Sequence, residues 1–218
     1  MRDIIFMKRY VPFFIVAATA LTALANGTLL SPPTMQPHYL TISADEAVSA
    51  KSPIESVHIR GNAKAPVTLE EFGDFECPSC ARLATFLDQL IKEYHPRVRL
   101  IFRNFPLAMH PGARDAALAA EAAGVQGHFW EMHDVLYENQ EALEDENLLE
   151  YASALGLDLR RFTRDIGEHV YAPRVKEDFR GGVRSGVNGT PSFFINGVHY
   201  NGPFDLQSLF AALNEVTA

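Results

Sequence analysis

The chain is poor in cysteine: it holds two in 218 residues, Cys77 and Cys80, with two positions between them. Exported chains that use disulfides as staples place those cysteines far apart. A bridge between such near neighbours closes a small ring and removes little chain entropy, which excludes a stapling role. With no second cysteine pair, a zinc site would lack two of its four ligands. His128 and His133, five apart, do not share a helix face as a four-residue spacing would. Positive charge is also scarce. There are 19 Lys and Arg against 27 Asp and Glu, a net charge of −8. Nothing here would neutralise a run of phosphates, so nucleic acid is excluded as a partner. Long apolar runs are missing too. Val11 to Leu24, broken by Pro12 and threonines, is about 14 residues, short of the roughly 20 that span a bilayer.

That run reads instead as a targeting signal. Arg2, Lys8 and Arg9 make a positive start, and Ala23-Leu24-Ala25 offers a small-x-small cleavage site. A signal peptide over residues 1–25 implies a periplasmic or otherwise extracytoplasmic protein, and an uncleaved membrane anchor is the alternative. Residues 26–52, rich in Ser, Thr, Pro and Ala, read as a flexible linker. Residues 53–218 suffice for one domain with its own core.

Within that domain, Ile54–Arg60 suggests an edge strand and Val67–Phe72 a core strand. Apolar positions at Cys80, Leu83, Leu87, Leu90, Ile91 and Tyr94 recur at helical period. Pro78 falls in the first turn, where its missing N–H costs nothing, and Pro96 lies past the end. Val98–Arg103 alternates at period two. From about 110 to 184 the composition turns to Ala, Leu, Glu and Arg, which predicts an all-helical block over 113–123, 128–139, 147–155, 159–166 and 168–182. Strand signals return at Pro191–Ile195 and Val198–Tyr200 around Asn196-Gly197, a strong hairpin signal. Leu206–Val216 closes the chain as an amphipathic helix. This order predicts an α/β fold, a central mixed sheet flanked by helices and interrupted by the helical insertion.

The chemistry concentrates between Glu70 and Arg82. A Cys-Pro-Ser-Cys at a strand-to-helix junction is a redox motif. Disulfide exchange needs one thiolate to attack and a second thiol in reach to resolve the mixed disulfide. Near the helix start, unpaired N–H groups and the positive dipole end favour an anion on Cys77. Cys77 is therefore the expected nucleophile, and Cys80, which opens the apolar face, the buried resolver. Pro78 and Ser79 between them are positioned to tune the potential. Neither metal nor cofactor is expected.

A proton carrier is also required. By strand alternation Glu71 shares a face with Phe75. If that face is internal, Glu71 is a buried carboxyl with a raised pKa, suited to take a proton near neutrality; otherwise it is a surface glutamate. Glu70 falls on the opposite face, and Glu76 is expected to point to solvent. Pro191 at a strand start cannot donate to the ladder. A cis Thr190–Pro191 peptide would explain it and leave Thr190 backbone groups free to bind an extended peptide; a trans edge-strand proline is the other reading.

Three segments together resemble the DsbA-like branch of the thioredoxin fold, a family of exported thiol–disulfide oxidoreductases. They are Glu71–Cys80 (EFGDFECPSC), His128–Asp134 (HFWEMHD) and Gly189–Gly197 (GTPSFFING), in the family's order within Ile54 to the C-terminus. The resemblance implies Cys77 as nucleophile, Cys80 as resolver, Glu71 as the buried acid, and Pro191 as a cis-proline facing the site, with Thr190 beside it for substrate. It implies cysteine-containing exported polypeptides as substrates and a membrane redox partner. Well-known oxidases of the family carry a histidine where this chain has Ser79, which suggests a less oxidising couple. With no dimerisation domain of the kind a dedicated isomerase carries, a monomer is expected. An oxidase leads; a reductase for a restricted substrate class and a thioredoxin-fold peptide-binding chaperone are the alternatives.

Overall fold

Two neighbouring strands and the helix that joins them hold the cysteine motif. Strand β1 is His58–Gly61, β2 Val67–Gly73, and helix α1 Pro78–Glu93, followed by β3 Val98–Asn104. β2 and β3 pair in parallel, Val67 opposite Val98 through Gly73 opposite Asn104. A parallel pair needs a crossover, and α1 supplies it. The computed structural model describes residues 57–203 and 205–217. The expected signal segment (1–25) and linker (26–52) lie outside the described residues, as does the start of the first predicted strand.

The helical block that follows is α2 Ala113–Gly124, α3 Phe129–Glu138, α4 Asp145–Ala154, α5 Leu159–Gly167 and α6 Ala172–Arg184. The last begins four residues later than its sequence pattern suggests: Pro173 starts the helix, and residues 168–171 form the turn before it. Strands β4 (Ser192–Ile195) and β5 (Val198–His199) and helix α7 (Leu206–Thr217) complete the chain. The sheet order is β1-β3-β2-β4-β5. β4 runs antiparallel to β2, with Glu71 opposite Phe193. Asn196 and Gly197 both have positive φ (50° and 80°), as a type I′ hairpin requires.

Both faces of the central strands are covered, which fits the near-continuous burial of β2. On one face Leu69, Val98, Leu100, Phe193 and Ile195 pack with Leu83, Leu87 and Leu90 of α1 and Leu209 and Leu213 of α7. Phe75, Cys77, Cys80 and Phe102 join instead the core of α2, α3, α4 and α5, so the motif is packed by the insertion. On the opposite face Phe72, Phe105 and Phe194 meet Phe179 of α6. The approach there is close: a Cβ on Gly182 would come within 2.8 Å of the Phe105 ring and 2.9 Å of Phe72.

Candidate active site

β2 ends at Gly73, and the chain turns through Asp74 to Cys77, the N-cap residue of α1, with Pro78 in the first turn. The turn is held by Asp74. Its backbone oxygen accepts from Cys77 N at 3.0 Å, and its Oδ1 accepts from Glu76 N at 2.8 Å. The other carboxylate oxygen accepts from Leu107 N at 2.7 Å and pairs with His110 Nδ1 at 2.8 Å. A buried acid thus joins the motif to the loop after β3. His110 belongs to the site. Burial pulls its imidazole down, but the hydrogen bond and charge of Asp74, with smaller contributions from Cys77 and Glu76, leave its pKa raised.

The two cysteines are unbridged and unequal. Cys77 is 6% exposed and Cys80 fully buried. The Cys77 pKa is pulled down from 9.0 to about 5, first by a hydrogen bond from Cys80, against the opposing effect of burial, and then by Thr190 and the backbone N–H groups of Cys80 and Ser79. These N–H groups are the unpaired donors of the helix start. No acidic residue occupies the first turn to oppose them. Cys80 is pushed far up, first by burial, then by its bond to Cys77 and the charge of Glu71.

Glu71 is buried at 1% exposure, because its face of the sheet is internal, between Phe102 on β3 and Phe193 on β4. Burial first, and the Cys77 charge second, push its pKa from 4.5 to about 8, with Arg60 offsetting part of the rise. Its Oε1 has no hydrogen-bond partner among the described residues. Glu70, on the other face, pairs with Arg103 Nε at 2.8 Å.

The Thr190–Pro191 peptide is cis. The Thr190 carbonyl oxygen lies 3.4 Å from the Cys77 sulfur, which donates to it. Ser192 Oγ donates to Gly189 O at 2.7 Å and pins the turn. Beside it runs an open groove of about 450 Å³, lined by Ser79, Arg82, Leu83, Phe86, Thr190, Pro191 and Asp205. Ser79 Oγ accepts from Arg82 Nη2 at 2.8 Å, so the hydroxyl in the motif faces this groove.

Two features depart from the sequence reading or escaped it. Glu76 does not point to solvent: its Oε2 accepts from Gly112 N at 2.6 Å, where α2 begins. An acid at a helix start is electrostatically favoured, and this one is turned inward by that attraction. Gln140, in the connection after α3, donates from Nε2 to the carbonyls of Phe75 (2.7 Å) and Cys77 (2.9 Å). Nothing in its sequence surroundings marks it. Trp130 is partly buried and donates to Ile59 O at 2.9 Å, with Arg60 over its ring. Among the described residues no cluster of three His, Cys, Asp or Glu could hold a metal, and no helix is long and apolar enough to cross a membrane.

The family model described as Thioredoxin matches residues 54–215. The chain belongs to this family. Its insertion and site place it in the DsbA-like branch of thiol–disulfide oxidoreductases, as solved structures show. A thioredoxin-like oxidoreductase from Silicibacter pomeroyi is 27% identical with a TM-score of 0.67, over 77% of this chain and 98% of that one. Pseudomonas aeruginosa DsbA2 is 26% identical with a TM-score of 0.61, over 74% of this chain and 94% of that one. A curated relative with high identity carries a different name. The Na(+)/H(+) antiporter NhaA 1 of Salinispora arenicola is 44% identical over 162 residues, 74% of this chain and 25% of that protein. This chain therefore spans about a quarter of the length of the antiporters it matches.

Proposed function

We propose that this protein is a thiol–disulfide oxidoreductase that oxidises cysteine pairs in exported polypeptides. Cys77 is the nucleophile, Cys80 the resolving thiol and Glu71 the proton carrier. Thr190 and Pro191 border the peptide-binding groove. One observation carries this reading: neighbouring thiols whose environments drive their ionisation in opposite directions, beside a buried carboxyl near 8. In oxidation, a substrate thiolate attacks the Cys77 sulfur of the Cys77–Cys80 disulfide. Cys80 leaves as a thiolate and takes a proton from Glu71. A second substrate thiolate then attacks the mixed disulfide and expels the Cys77 thiolate, a good leaving group because its pKa is low. Reoxidation reverses the proton's path.

The basic leader expected over residues 1–25 supports export and action outside the cytoplasm. In the relatives named as antiporters, a unit 44% identical to this one shares a polypeptide with a protein named for membrane transport, which supports action near a membrane. The deciding experiment is equilibration of Cys77–Cys80 with glutathione. A potential toward about −120 mV supports an oxidase, and one near about −270 mV assigns the protein to the reductive direction. If Cys77→Ser retains full activity on a reduced substrate, catalysis by the dithiol is wrong and a chaperone role takes its place.

A further inference from the structure

The segment that carries the nucleophile, Phe75 to Cys77, is held from two sides. At the end of β2, Asp74 takes its N–H groups: Oδ1 accepts from Glu76 N at 2.8 Å, and the backbone oxygen accepts from Cys77 N at 3.0 Å. From the helical insertion, Gln140 takes its carbonyls, with Nε2 2.7 Å from Phe75 O and 2.9 Å from Cys77 O. A side-chain amide carries two N–H groups on that nitrogen, and both are used here. The orientation follows from the partners, since the flipped amide would set Oε1 against two carbonyl oxygens.

Gln140 reaches the motif from a fixed base. Asn139 before it closes α3, donating from Nδ2 to Val135 O at 2.8 Å. Ala142 N donates back to Asn139 O at 3.0 Å, and the Ala142 carbonyl accepts from Tyr151 Oη on α4 at 2.9 Å. Leu143 is buried in the core of the insertion. The connection is therefore anchored at α3, at α4 and in the core, and the Gln140 amide extends that anchoring to the motif.

The consequence falls on the sulfur. Cys77 is the N-cap residue of α1, with extended backbone angles, φ −76° and ψ 117°. Pro78 has no N–H, so the first free donors of the helix are those of Ser79 and Cys80. Both favour the Cys77 thiolate. An anion gains from such donors only while they point at it, because hydrogen bonds weaken steeply as their angle closes. Rotation about the Cys77 backbone would swing the sulfur off them, and the Cys77 carbonyl is one of the two groups that Gln140 grips. We propose that Gln140 is a positioning residue for the nucleophile, fixing the Phe75 and Cys77 carbonyls so that the Cys77 sulfur stays over the N–H groups at the start of α1. The inference rests on Cys77 being the nucleophile of the proposed reaction. It gives the helical insertion a part in the chemistry, because the grip comes from the connection between α3 and α4 and not from the strands.

The test is ultraviolet titration of the Cys77 thiolate in the reduced full chain, with the glutathione equilibrium measured beside it. Gln140→Met keeps the length of the side chain and removes both donors. The Cys77 pKa is expected to rise by about one unit. The equilibrium is expected to shift about tenfold toward the oxidised protein, because the reduced form loses part of its stabilisation. Gln140→Asn, one methylene shorter, cannot span both carbonyls and should move both readings the same way; it takes the place of the first variant if that one does not fold. Tyr151→Phe loosens the same connection without touching the motif, and should leave both readings at their wild-type values. An unmoved Cys77 pKa in a folded Gln140 variant, or an equal shift in Tyr151→Phe, overturns the positioning role and leaves the nucleophile assignment standing. A wild-type Cys77 that titrates near the ordinary 9.0 removes the assignment and the inference together.

Discussion

The Cys77 sulfur and the Thr190 carbonyl oxygen lie 3.4 Å apart although 113 positions separate them. The same residue's Oγ1 is buried and has no hydrogen-bond partner among the described residues, while Thr190 contributes to the low Cys77 pKa. The carbonyl receives the thiol, and the hydroxyl is available to the thiolate. Thr190→Val keeps the shape and removes that donor. The Cys77 pKa is expected to rise by of order one unit, read from thiolate ultraviolet absorbance, and the couple to become less oxidising.

Reactivity of Cys77 should follow its depressed pKa. The rate of alkylation by iodoacetamide is expected to rise through about pH 5 and reach its plateau below neutrality. Cys80, fully buried with its pKa pushed up, should stay unmodified across the same range. Mass mapping of the labelled site separates the two.

Glu71 makes stability depend on pH in the opposite sense to an ion-paired acid. Its folded pKa is raised from 4.5 to about 8, so between those values the unfolded chain gives up this proton more readily. The wild type therefore loses stability as pH rises through that window, and Glu71→Gln does not. The variant should match the wild type below the window and exceed it at pH 7 by roughly 2–3 kcal/mol, as read by urea denaturation of the reduced protein. The gain in stability should accompany the loss in rate.

For His110 the sign is reversed. Its folded pKa is raised, with Asp74 outweighing burial, so the stabilisation is fully present below its unfolded value of 6.5 and is lost as pH rises through the folded one. His110→Gln is expected to cost roughly 1 kcal/mol at about pH 5 and little at about pH 9. Denaturation at both pH values checks this. Because the imidazole also lies within the field of Cys77, the same variant should move the Cys77 titration upward by a fraction of a unit.

The local grammar of the chain lies in its residues and their nearest neighbours. Cys77, Pro78 and Cys80 sit at a helix start because a proline there loses nothing, and Cys80 begins an apolar stripe at helical period. Asn196-Gly197 makes its turn because both residues tolerate positive φ. Those choices depend on a few adjacent residues and can be read from them alone. The surroundings of the motif depend on which layers stack, and no periodicity records that. Strand alternation put Glu71 and Glu70 on opposite faces, but only the packing of α1 and the insertion made one a buried acid and left the other to pair with Arg103. Glu76 turned inward because the start of α2 arrives beside it. Asp74 found His110, and Cys77 found Thr190, because the loop after β3 and the turn before β4 meet at one end of the sheet. The tertiary structure thus decided the electrostatics of the two thiols, since burial and charge at a distance are properties of the assembled layers and not of neighbours in the chain.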